Sequence, residues 1–428
     1  MRTLIKNGYV IDPSENREGI RDILIEDARI CKVGERPELS ADRIIDATGC
    51  HVYPGFIDMH VHLREPGFEY KETVATGTAS AAAGGYTTIC AMPNTKPVTD
   101  SAENLRKLLD IIERDAVVKV LPIGAVTKNQ DGLELTDIVA LKNAGACGIS
   151  EDGKSVMDIA LYREALKIAA KNGVTVMAHC EDKVLQNGGV INEGMMSKRF
   201  GLPGISDSVE DHITIRDILL AGELGTRLHI CHVSTEMSVE FVRMAKKKGF
   251  MVTAEACPHH FSLCDADIPD DDANFKMNPP LRSARDLAAV IKGLSDGTID
   301  VISTDHAPHS EEEKTKGFAK APFGIVGLET AYALGVSKLV KTGVMSYRAL
   351  IGKMSTNPAK ILGLTELDGR GTLREGAVAD IVIANPNEKW IVDASKMKSK
   401  SKNTPFDGEF LQGKVKMTIV NGEIRSEE

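Results

Sequence analysis

Eight apolar runs of strand length recur through the middle of the chain, and segments with helical periodicity separate them. The separating segments, such as Met157–Lys171, Val209–Glu223 and Met237–Lys247, place apolar residues near positions i, i+3, i+4 and i+7. Strands that alternate with helices indicate a parallel sheet, and eight such units predict an α/β protein with a (β/α)8 TIM barrel. The predicted strands are Pro54–His60, Tyr86–Met92, Val117–Ala125, Ala146–Ser150, Val174–His179, Arg227–His232, Phe250–Cys257 and Ile299–Thr304.

An open, doubly wound sheet is the structural alternative to this barrel. Such a sheet would use fewer strands and would carry a glycine-rich phosphate-binding turn after its first strand. The sequence contains no G-x-G-x-x-G pattern. We therefore favour the barrel.

The two ends of the chain differ from its middle. Residues 1–52 contain short β-type runs broken by Gly, Pro and Asp, without a helical period. Residues after about 366 return to this pattern and include the turn Asn421–Gly422. We expect a barrel domain at residues 53–365, and a small β-sandwich domain that residues 1–52 and 366–428 form together. The Lys- and Ser-rich run Ala394–Asn403 is expected to be an exposed loop.

Charge and hydropathy argue against several classes of protein. The 428 residues include 52 Lys and Arg against 61 Asp and Glu, so the net charge is −9. This mildly acidic balance argues against nucleic acid or an anionic membrane surface as the main partner. No apolar stretch approaches the ~18 residues of a membrane span, and Lys6 interrupts the first apolar run before it could form a signal peptide. The eight Cys include no C-x-x-C pair, and we expect a cytoplasmic protein.

Histidines occur at the ends of several predicted strands. In Asp58-Met59-His60-Val61-His62 the two histidines lie two residues apart, so they point to the same face of a strand. Two surface histidines could occur by chance, but His179, His232 and Asp305 end three further strands. Catalytic groups of a barrel lie at this C-terminal rim. Four histidines and an aspartate exceed the three protein ligands usual for one catalytic zinc, which favours a two-metal site.

A two-metal site needs a bridging oxygen ligand, and the end of the fourth strand offers one. Asp152 is the preferred bridge and Glu151 is the alternative. His229, at odd strand parity to His232, is interpreted as a hydrogen-bonded core histidine. The cluster Cys257–His260 matches no tetrahedral zinc spacing, so we expect no separate metal there. Together these residues indicate a binuclear metal hydrolase.

Longer motifs around these residues resemble a known family. The segment Pro54–Gly67 is similar to the amidohydrolase superfamily signature in its dihydroorotase form. The H-x-H pair with a later aspartate specifies only the superfamily, whereas the Leu63–Gly67 and Asp305–His309 blocks are narrower. Over nearly its whole length the chain resembles the long, class I dihydroorotases of pyrimidine synthesis. The other matching blocks are Met92–Thr95, Met277–Arg282, Thr304–His309, Gly371–Leu373 and Ala379–Val382.

The resemblance implies two Zn²⁺ ions per chain. One zinc would be held by His60, His62 and Asp305, and the other by His179 and His232, with Asp152 as the bridge. Many superfamily relatives bridge their metals with a carbamylated lysine, but this sequence has no lysine in that region before Lys154. The class I pattern uses an aspartate bridge, which Asp152 fits, and Lys154 stays open as an alternative.

The reaction of the family is the reversible cyclisation of N-carbamoyl-L-aspartate to (S)-dihydroorotate and water. By resemblance, a hydroxide between the zinc ions attacks the ring carbonyl, and the catalytic residue Asp305 carries the proton to the leaving ring nitrogen. Arg64 can form a bidentate pair with the substrate carboxylate. The implied substrate contacts are Arg64, Asn94, Asn278, His309 and the backbone of Phe323 and Gly324. Without the resemblance, Asn94 and Asn278 would be interpreted as turn and capping residues.

Two other functions stay open. A hydantoinase or allantoinase would hydrolyse another cyclic amide, but the missing bridging lysine and the presence of Arg64 argue against it, because a neutral ring offers no carboxylate. A non-catalytic dihydroorotase-like scaffold would have lost metal ligands, yet all six positions are filled here. The resemblance also implies a homodimer, and it leaves association with aspartate transcarbamoylase, the preceding enzyme of the pathway, open.

Overall fold

The computed structural model describes residues 2–34 and 41–428. It is a mixed α/β protein, in which short strands and helices alternate through the middle of the chain and both ends are rich in strands. Within the described residues, every helix is too short or too polar to cross a membrane.

The chain forms nineteen strands and fourteen α-helices within the described residues. The strands are β1 (Arg2–Asp12), β2 (Arg17–Glu26), β3 (Arg29–Gly34), β4 (Arg43–Asp46), β5 (His51–Pro54), β6 (Phe56–Val61), β7 (Tyr86–Ala91), β8 (Lys119–Pro122), β9 (Gly124–Ala125), β10 (Ile149–Ser150), β11 (Val176–Ala178), β12 (Ile191–Asn192), β13 (Gly204–Ile205), β14 (Leu228–Ile230), β15 (Val252–Ala256), β16 (Val301–Ile302), β17 (Ile381–Ile391), β18 (Phe410–Val420) and β19 (Glu423–Glu427). The helices are α1 (Val74–Ala83), α2 (Ala102–Asp115), α3 (Ile138–Ala144), α4 (Ile159–Asn172), α5 (Lys183–Gln186), α6 (Met195–Phe200), α7 (Ser208–Leu224), α8 (Glu236–Lys247), α9 (Ala284–Ser295), α10 (Glu311–Lys314), α11 (Ala331–Leu334), α12 (Tyr347–Ile351), α13 (Asn357–Ile361) and α14 (Leu364–Leu367).

The strands in the middle of the chain form parallel ladders in chain order. One sheet runs β6-β7-β8, and a second runs β9-β10-β11-β14-β15-β16. Only Ile123 separates β8 from β9, and its N–H donates to the carbonyl of Ala91 in β7. A parallel bridge between Val61 and His306 joins the chain after β16 to β6. Every residue of β6 and β7 is buried, as expected for a parallel sheet that is covered on both faces, and these buried residues include the polar Asp58 and His60 of β6.

Helix boundaries follow local signals in the sequence. The carboxylate of Asp158 accepts hydrogen bonds from the N–H groups of Ala160 and Leu161 at the start of α4, and Gly173 ends this helix with φ of 63°. Thr235 caps α8 in the same way through the N–H of Ser238. These caps satisfy backbone donors that a helix leaves free, and glycine adopts the left-handed conformation without steric cost.

The two chain ends share one eight-stranded sheet. Its order is β19-β18-β17-β5-β1-β2-β3, and β4 pairs with β1. The sheet has its own apolar cluster, which includes Ile5, Val52 and Ile383. The buried carboxylate of Asp12 accepts a 2.7 Å hydrogen bond from the N–H of Leu373, across 361 positions of the sequence. N-terminal and C-terminal segments therefore depend on each other for their structure.

Two local predictions are wrong. Pro54 ends β5 in the sheet of the chain ends, and the first parallel strand begins only at Phe56, after Gly55. The run Ala394–Asn403 is not an exposed loop throughout. Its residues 399–403 are here called the strap. In the strap, exposed lysines alternate with buried polar residues, because the buried side chains form hydrogen bonds with loops of the parallel sheet. The buried members are Ser399, Ser401 and Asn403, which are 1%, 5% and 4% exposed.

Candidate active site

Six side chains from five strand ends meet at the C-terminal edge of the parallel strands. All of them are at most 7% exposed. They are His60 in β6, His62 directly after it, Asp152 after β10, His179 after β11, His232 after β14 and Asp305 after β16. The structure thus brings together the six preferred candidates for metal ligands, but not the alternative bridging residues Glu151 and Lys154.

Asp152 lies at the centre of this cluster. Its Oδ1 is 3.1 Å from Nε2 of His60 and 3.6 Å from Nδ1 of His179. The same oxygen is 4.0 Å from Nε2 of His232, and Oδ2 is 3.5 Å from Nε2 of His62. A carboxylate within reach of four imidazoles is in the right place to bridge two metal ions.

Asp305 contacts the H-x-H pair. Its Oδ1 lies 3.0 Å from Nε2 of His62 and 3.5 Å from Nε2 of His60. The backbone of Asp305 has φ of 47°, and that of His232 has φ of 34°. Residues other than glycine seldom adopt this left-handed conformation, which is concentrated at functional sites where the surrounding structure enforces it.

His60 is oriented by a buried carboxylate that the sequence reasoning missed. Its Nδ1 is 2.8 Å from Oε1 of Glu255 in β15, and the other oxygen of Glu255 is 3.0 Å from Nε2 of His229. Nδ1 of His229 is 2.8 Å from Oγ1 of Thr253, so both ring nitrogens of this buried histidine have partners. His229 is thus a hydrogen-bonded core histidine, and Glu255 leaves Nε2 of His60 directed into the cluster.

His179 has a similar support. Its Nε2 is 2.9 Å from Oε2 of Glu181, and its Nδ1 is 2.9 Å from Nε2 of His232. Lys183 donates to the same oxygen of Glu181. Glu181 and Lys183 were not predicted, although their places two and four residues beyond His179 put them at the same rim.

The carboxylates of the cluster are held as anions. Burial raises the pKa of Asp152, but His60, His62 and His179 outweigh burial and hold this pKa well below its usual range. Burial is outweighed at Asp305 as well, where His60 and His62 lower the pKa. Burial lowers the pKa of His60, yet Asp152 and Asp305 raise it well above its usual value. The two buried carboxylates thus favour positive charge at this site.

The donor set fits a divalent metal. Two overlapping groups have ligand atoms within 4.8 Å of one another: His60, His62 and Asp305, and His60, Asp152 and His232. Nε2 of His60 is buried without a hydrogen-bond partner. Burial and the neighbouring His179 lower the pKa of His232 to about 3, so this imidazole is neutral, which is the form that binds a metal.

A cavity of about 230 Å³ opens over the cluster. Its lining contains every predicted site residue except His60, which lies behind the others. The lining residues are His62, Arg64, Asn94, Asp152, Gly153, His179, Glu181, Lys183, Gln186, His232, Asn278, Asp305, Ala307, His309, Phe323 and Gly324. Besides the metal-binding cluster, the lining thus carries the basic side chains of Arg64 and Lys183.

Arg64 and His309 form a second part of the cavity wall. Nε of Arg64 donates to the carbonyl of Pro308 at 3.1 Å, and Nη2 of Arg64 is 3.2 Å from Nε2 of His309. The same nitrogen of His309 is 2.8 Å from the carbonyl oxygen of Phe323. Lys71 is 3.2 Å from Nδ1 of His309 on the other side of the ring. These contacts hold a guanidinium and an imidazole at one end of the cavity.

Asn94 connects the wall of the cavity to the metal-binding cluster. Its Oδ1 is 2.9 Å from Nδ1 of His62, and its Nδ2 donates to Oδ2 of Asp152 at 3.0 Å. Asn94 therefore orients two of the candidate ligands, a role that a turn residue would not have. Asn278 lines the cavity from the segment that precedes α9.

The contacts of Glu151 and Lys154 argue against these two residues as the ligand that bridges the metals. Glu151 accepts hydrogen bonds from the N–H groups of Val126 and Thr127, and Lys154 donates to the carbonyl of Gln130 at 2.6 Å.

Sequence reasoning also passed over one motif, because Gly148–Ser155 has the G-x-x-x-x-G-K-[ST] spacing of a phosphate-binding loop. No helix begins at its end, since α4 starts at Ile159. This loop instead presents Asp152 to the cluster.

Cys257, His259 and His260 lie together directly after β15. All three are buried, and their possible ligand atoms are within 4.8 Å of one another. Burial raises the pKa of the Cys257 thiol well above its usual value and lowers the pKa of both histidines. The absence of a separate metal at these residues stays a prediction.

Two protein families match the chain. The family described as Dihydro-orotase-like matches residues 49–238, and the Amidohydrolase family matches residues 336–425. The dihydroorotase of Acetivibrio thermocellus is 49% identical over 421 residues, which cover 98% of each chain. The dihydroorotase of Elusimicrobium minutum is 49% identical over 427 residues and covers 100% of this chain and 98% of the relative.

Solved structures share the fold at lower identity. The L-hydantoinase (dihydropyrimidinase) from Arthrobacter aurescens has a TM-score of 0.87 and 27% identity, with 99% of this chain and 96% of that chain covered. The D-hydantoinase (dihydropyrimidinase) from Thermus sp. has a TM-score of 0.85 and 25% identity, with 100% and 96% covered. The full-length relatives at nearly half identity are the more specific finding, and by them this chain belongs to the dihydroorotase family of amidohydrolases.

Proposed function

We propose that this chain catalyses the reversible cyclisation of N-carbamoyl-L-aspartate to (S)-dihydroorotate and water, a step of pyrimidine synthesis. The observation that carries the proposal is the cavity itself, where Arg64 and His309 face a cluster of metal-ligand type centred on Asp152. An anionic ring fits between these two ends, because the guanidinium can bind its carboxylate while its carbonyl meets the cluster. The full-length relatives named dihydroorotase support the same reaction.

We infer that the cluster binds two Zn²⁺ ions. Asp152 would lie between them, as its distances to all four imidazoles suggest. The ligands would be His60, His62 and Asp305 for one ion and His179 and His232 for the other. When bound, such ions supply a water nucleophile that is active at neutral pH and polarise the carbonyl of the substrate.

Asp305 is the proposed proton carrier. During hydrolysis it would accept the proton of the attacking water and deliver it to the ring nitrogen as the C–N bond breaks. In the direction of ring closure, the same carboxylate would remove a proton from the carbamoyl nitrogen. His62, 3.0 Å from Oδ1 of Asp305, would keep this carboxylate in place.

The part of the cavity wall around Arg64 and His309 would bind and orient the substrate. Arg64 would pair with the substrate carboxylate, and Asn94 and His309 would add hydrogen bonds. Asn278 and the backbone of Phe323 and Gly324 would contact the ring from the side. Because these groups are held by their neighbours before substrate arrives, little ordering cost is added on binding.

The direct test is turnover of dihydroorotate, measured spectrophotometrically on the purified protein beside metal analysis of the same sample. About two zinc ions per chain with turnover would support both proposals, and removing the metal with a chelator should abolish turnover until zinc is restored. Hydantoin and dihydrouracil are the comparison substrates, because the solved neighbours are hydantoinases. Turnover of those rings alone would favour the hydantoinase alternative, whereas metal binding without any turnover would favour a scaffold.

Glu255→Gln should weaken zinc binding by about 10- to 100-fold, because the carboxylate orients His60 and makes its imidazole a stronger ligand. Glutamine keeps the size of the side chain, removes the charge and replaces one of the two acceptor oxygens by an NH2 donor. Zinc affinity is measured by competition with a coloured chelator, and Glu423→Gln on the exposed strand β19 is the matched control. Equal zinc affinity in the two variants would show that Glu255 does not act through His60.

We also propose that the parallel strands close into a (β/α)8 barrel and that the chain ends form a β-sandwich domain. The chain order of the parallel strands and the Val61–His306 bridge support closure. The shared sheet and its separate apolar cluster support the second domain. We place the first domain boundary at Gly55, because β5 extends to Pro54. A cytoplasmic location, a homodimer and association with aspartate transcarbamoylase stay predictions.

A further inference from the structure

The strap brings a C-terminal residue next to the cavity. Asn403 is 4% exposed, and its Oδ1 accepts a 3.1 Å hydrogen bond from the N–H of His309. Its Nδ2 donates to the carbonyl of Gly324 at 3.0 Å and to that of Ala307 at 3.3 Å. The carbonyl of Asn403 itself accepts from the N–H of Val326 at 2.9 Å. One side chain therefore joins two loops that are apart in the sequence.

Both loops belong to the wall of the cavity. Ala307 and His309 come from the segment after β16, and Gly324 comes from the segment before α11. The two backbones approach closely, since a Cβ at Gly324 would lie 2.7 Å from Cβ of Ala307. Only an amide side chain offers an acceptor and two donors in one plane, which is the set that these three backbone groups require.

The strap is also tied to the metal-binding end of the cavity. Ser399 donates through its hydroxyl to the buried carboxylate of Glu72, and the N–H of Lys400 donates to the same carboxylate at 3.1 Å. Oε2 of Glu72 is 3.4 Å from Nε2 of His306, and the carbonyl of His306 accepts from the N–H of His62 at 2.9 Å. The strap is thereby fixed at one end to the segment that carries Asp305.

We propose that Asn403 is a positioning residue for substrate binding. It fixes the position of the His309 main chain relative to the Phe323–Gly324 backbone. The polar groups of both segments can then contact the ring of the bound substrate. Asn403 is absent from the cavity lining among the residues that the structure describes, so it acts through its neighbours. The proposal rests on the proposed function, in which His309 and Gly324 contact the substrate.

Asn403→Ala in the full-length, zinc-loaded protein is the test. We expect KM for dihydroorotate to rise about tenfold, kcat to change less than about threefold, and zinc content to stay the same, because the variant loses hydrogen bonds that order the binding wall and not the reacting groups. Hydrogen–deuterium exchange at the amide of His309 should become faster. Asn387→Ala, an exposed residue of β17, is the matched control and should change neither readout.

A second variant separates positioning from simple loss of packing. Asn403→Asp keeps the acceptor for the N–H of His309 but sets a carboxylate oxygen against the carbonyls of Ala307 and Gly324. It should raise KM at least as much as Asn403→Ala, while exchange at the His309 amide stays slow. If Asn403→Ala is insoluble, Asn403→Ser replaces it under the same criteria.

The outcomes distinguish this proposal from the proposed function. An unchanged KM in Asn403→Ala, or equal losses in kcat and melting temperature without a KM effect, would overturn the role of Asn403. A wild-type protein that does not turn over dihydroorotate would instead overturn the proposed function. In that case the exchange rate at His309 would still show whether Asn403 holds this loop.

Discussion

Asp305→Asn should lower kcat for dihydroorotate by about 10²- to 10⁴-fold while the protein folds normally, because a proton carrier contributes about this much to the rate. The amide has the shape of the carboxylate but cannot accept the proton of the attacking water. His60 and His62 hold the pKa of Asp305 below its usual range, so the wild-type side chain is a carboxylate at neutral pH, which is the form that can accept a proton. Steady-state kinetics, circular dichroism and zinc analysis of one preparation measure the effect.

Asp110→Asn, on the exposed face of α2, is the matched control and should be indistinguishable from wild type. Near wild-type turnover of Asp305→Asn would show that another group carries the proton. A variant that loses both zinc and turnover, and regains turnover when zinc is added in excess, would show that Asp305 serves only as a metal ligand.

Arg64→Ala should raise KM for dihydroorotate by about 10- to 100-fold with unchanged zinc content, because hydrogen bonds to a charged group are worth about 1.5–3 kcal/mol. Nε of Arg64 donates to the carbonyl of Pro308 and Nη2 lies 3.2 Å from Nε2 of His309, and these contacts hold the guanidinium at the cavity wall. Steady-state kinetics with zinc analysis of the same sample measure both quantities. Arg64→Lys should fall in between, since it keeps the charge but loses the bidentate fork.

Arg425→Ala on β19 is the control for the loss of an exposed arginine. Any slow hydrolysis of hydantoin, which has no carboxylate, should be insensitive to Arg64→Ala. An unchanged KM for dihydroorotate would exclude Arg64 as the carboxylate-binding group.

The metal-binding cluster could be predicted because it depends on strand geometry. His60 and His62 share a face through the two-residue period of a strand, and parallel strands bring His179 and His232 to the same edge. Asp152, with Glu151 as the alternative, could be proposed as the bridge because a two-metal site needs an oxygen ligand, whereas Lys154 became a further alternative only through the family resemblance. The structure adds the distances that favour Asp152.

The supporting residues could not be predicted, because their partners are remote in sequence. Glu255 is 195 positions from His60, and Asn403 is 94 positions from His309. Glu255 is a charged residue in an apolar strand. The neighbouring sequence does not indicate which side chain pairs with its carboxylate. The strap was interpreted as exposed because lysine dominates its composition, although its alternation of lysine with small polar residues was a signal of one buried side.

The sheet shared by the chain ends has a consequence for the order of events during synthesis. Asp12 and Leu373 are 361 positions apart, and at about 5–20 residues per second a ribosome needs roughly 20–70 s to cover that distance. Throughout this time β5 lacks its antiparallel neighbour β17, so one edge of the newborn sheet has unpaired backbone groups. The parallel strands, whose neighbours follow each other along the chain, can assemble meanwhile. The N-terminal part of this sheet therefore keeps an unpaired edge until β17 has been synthesised.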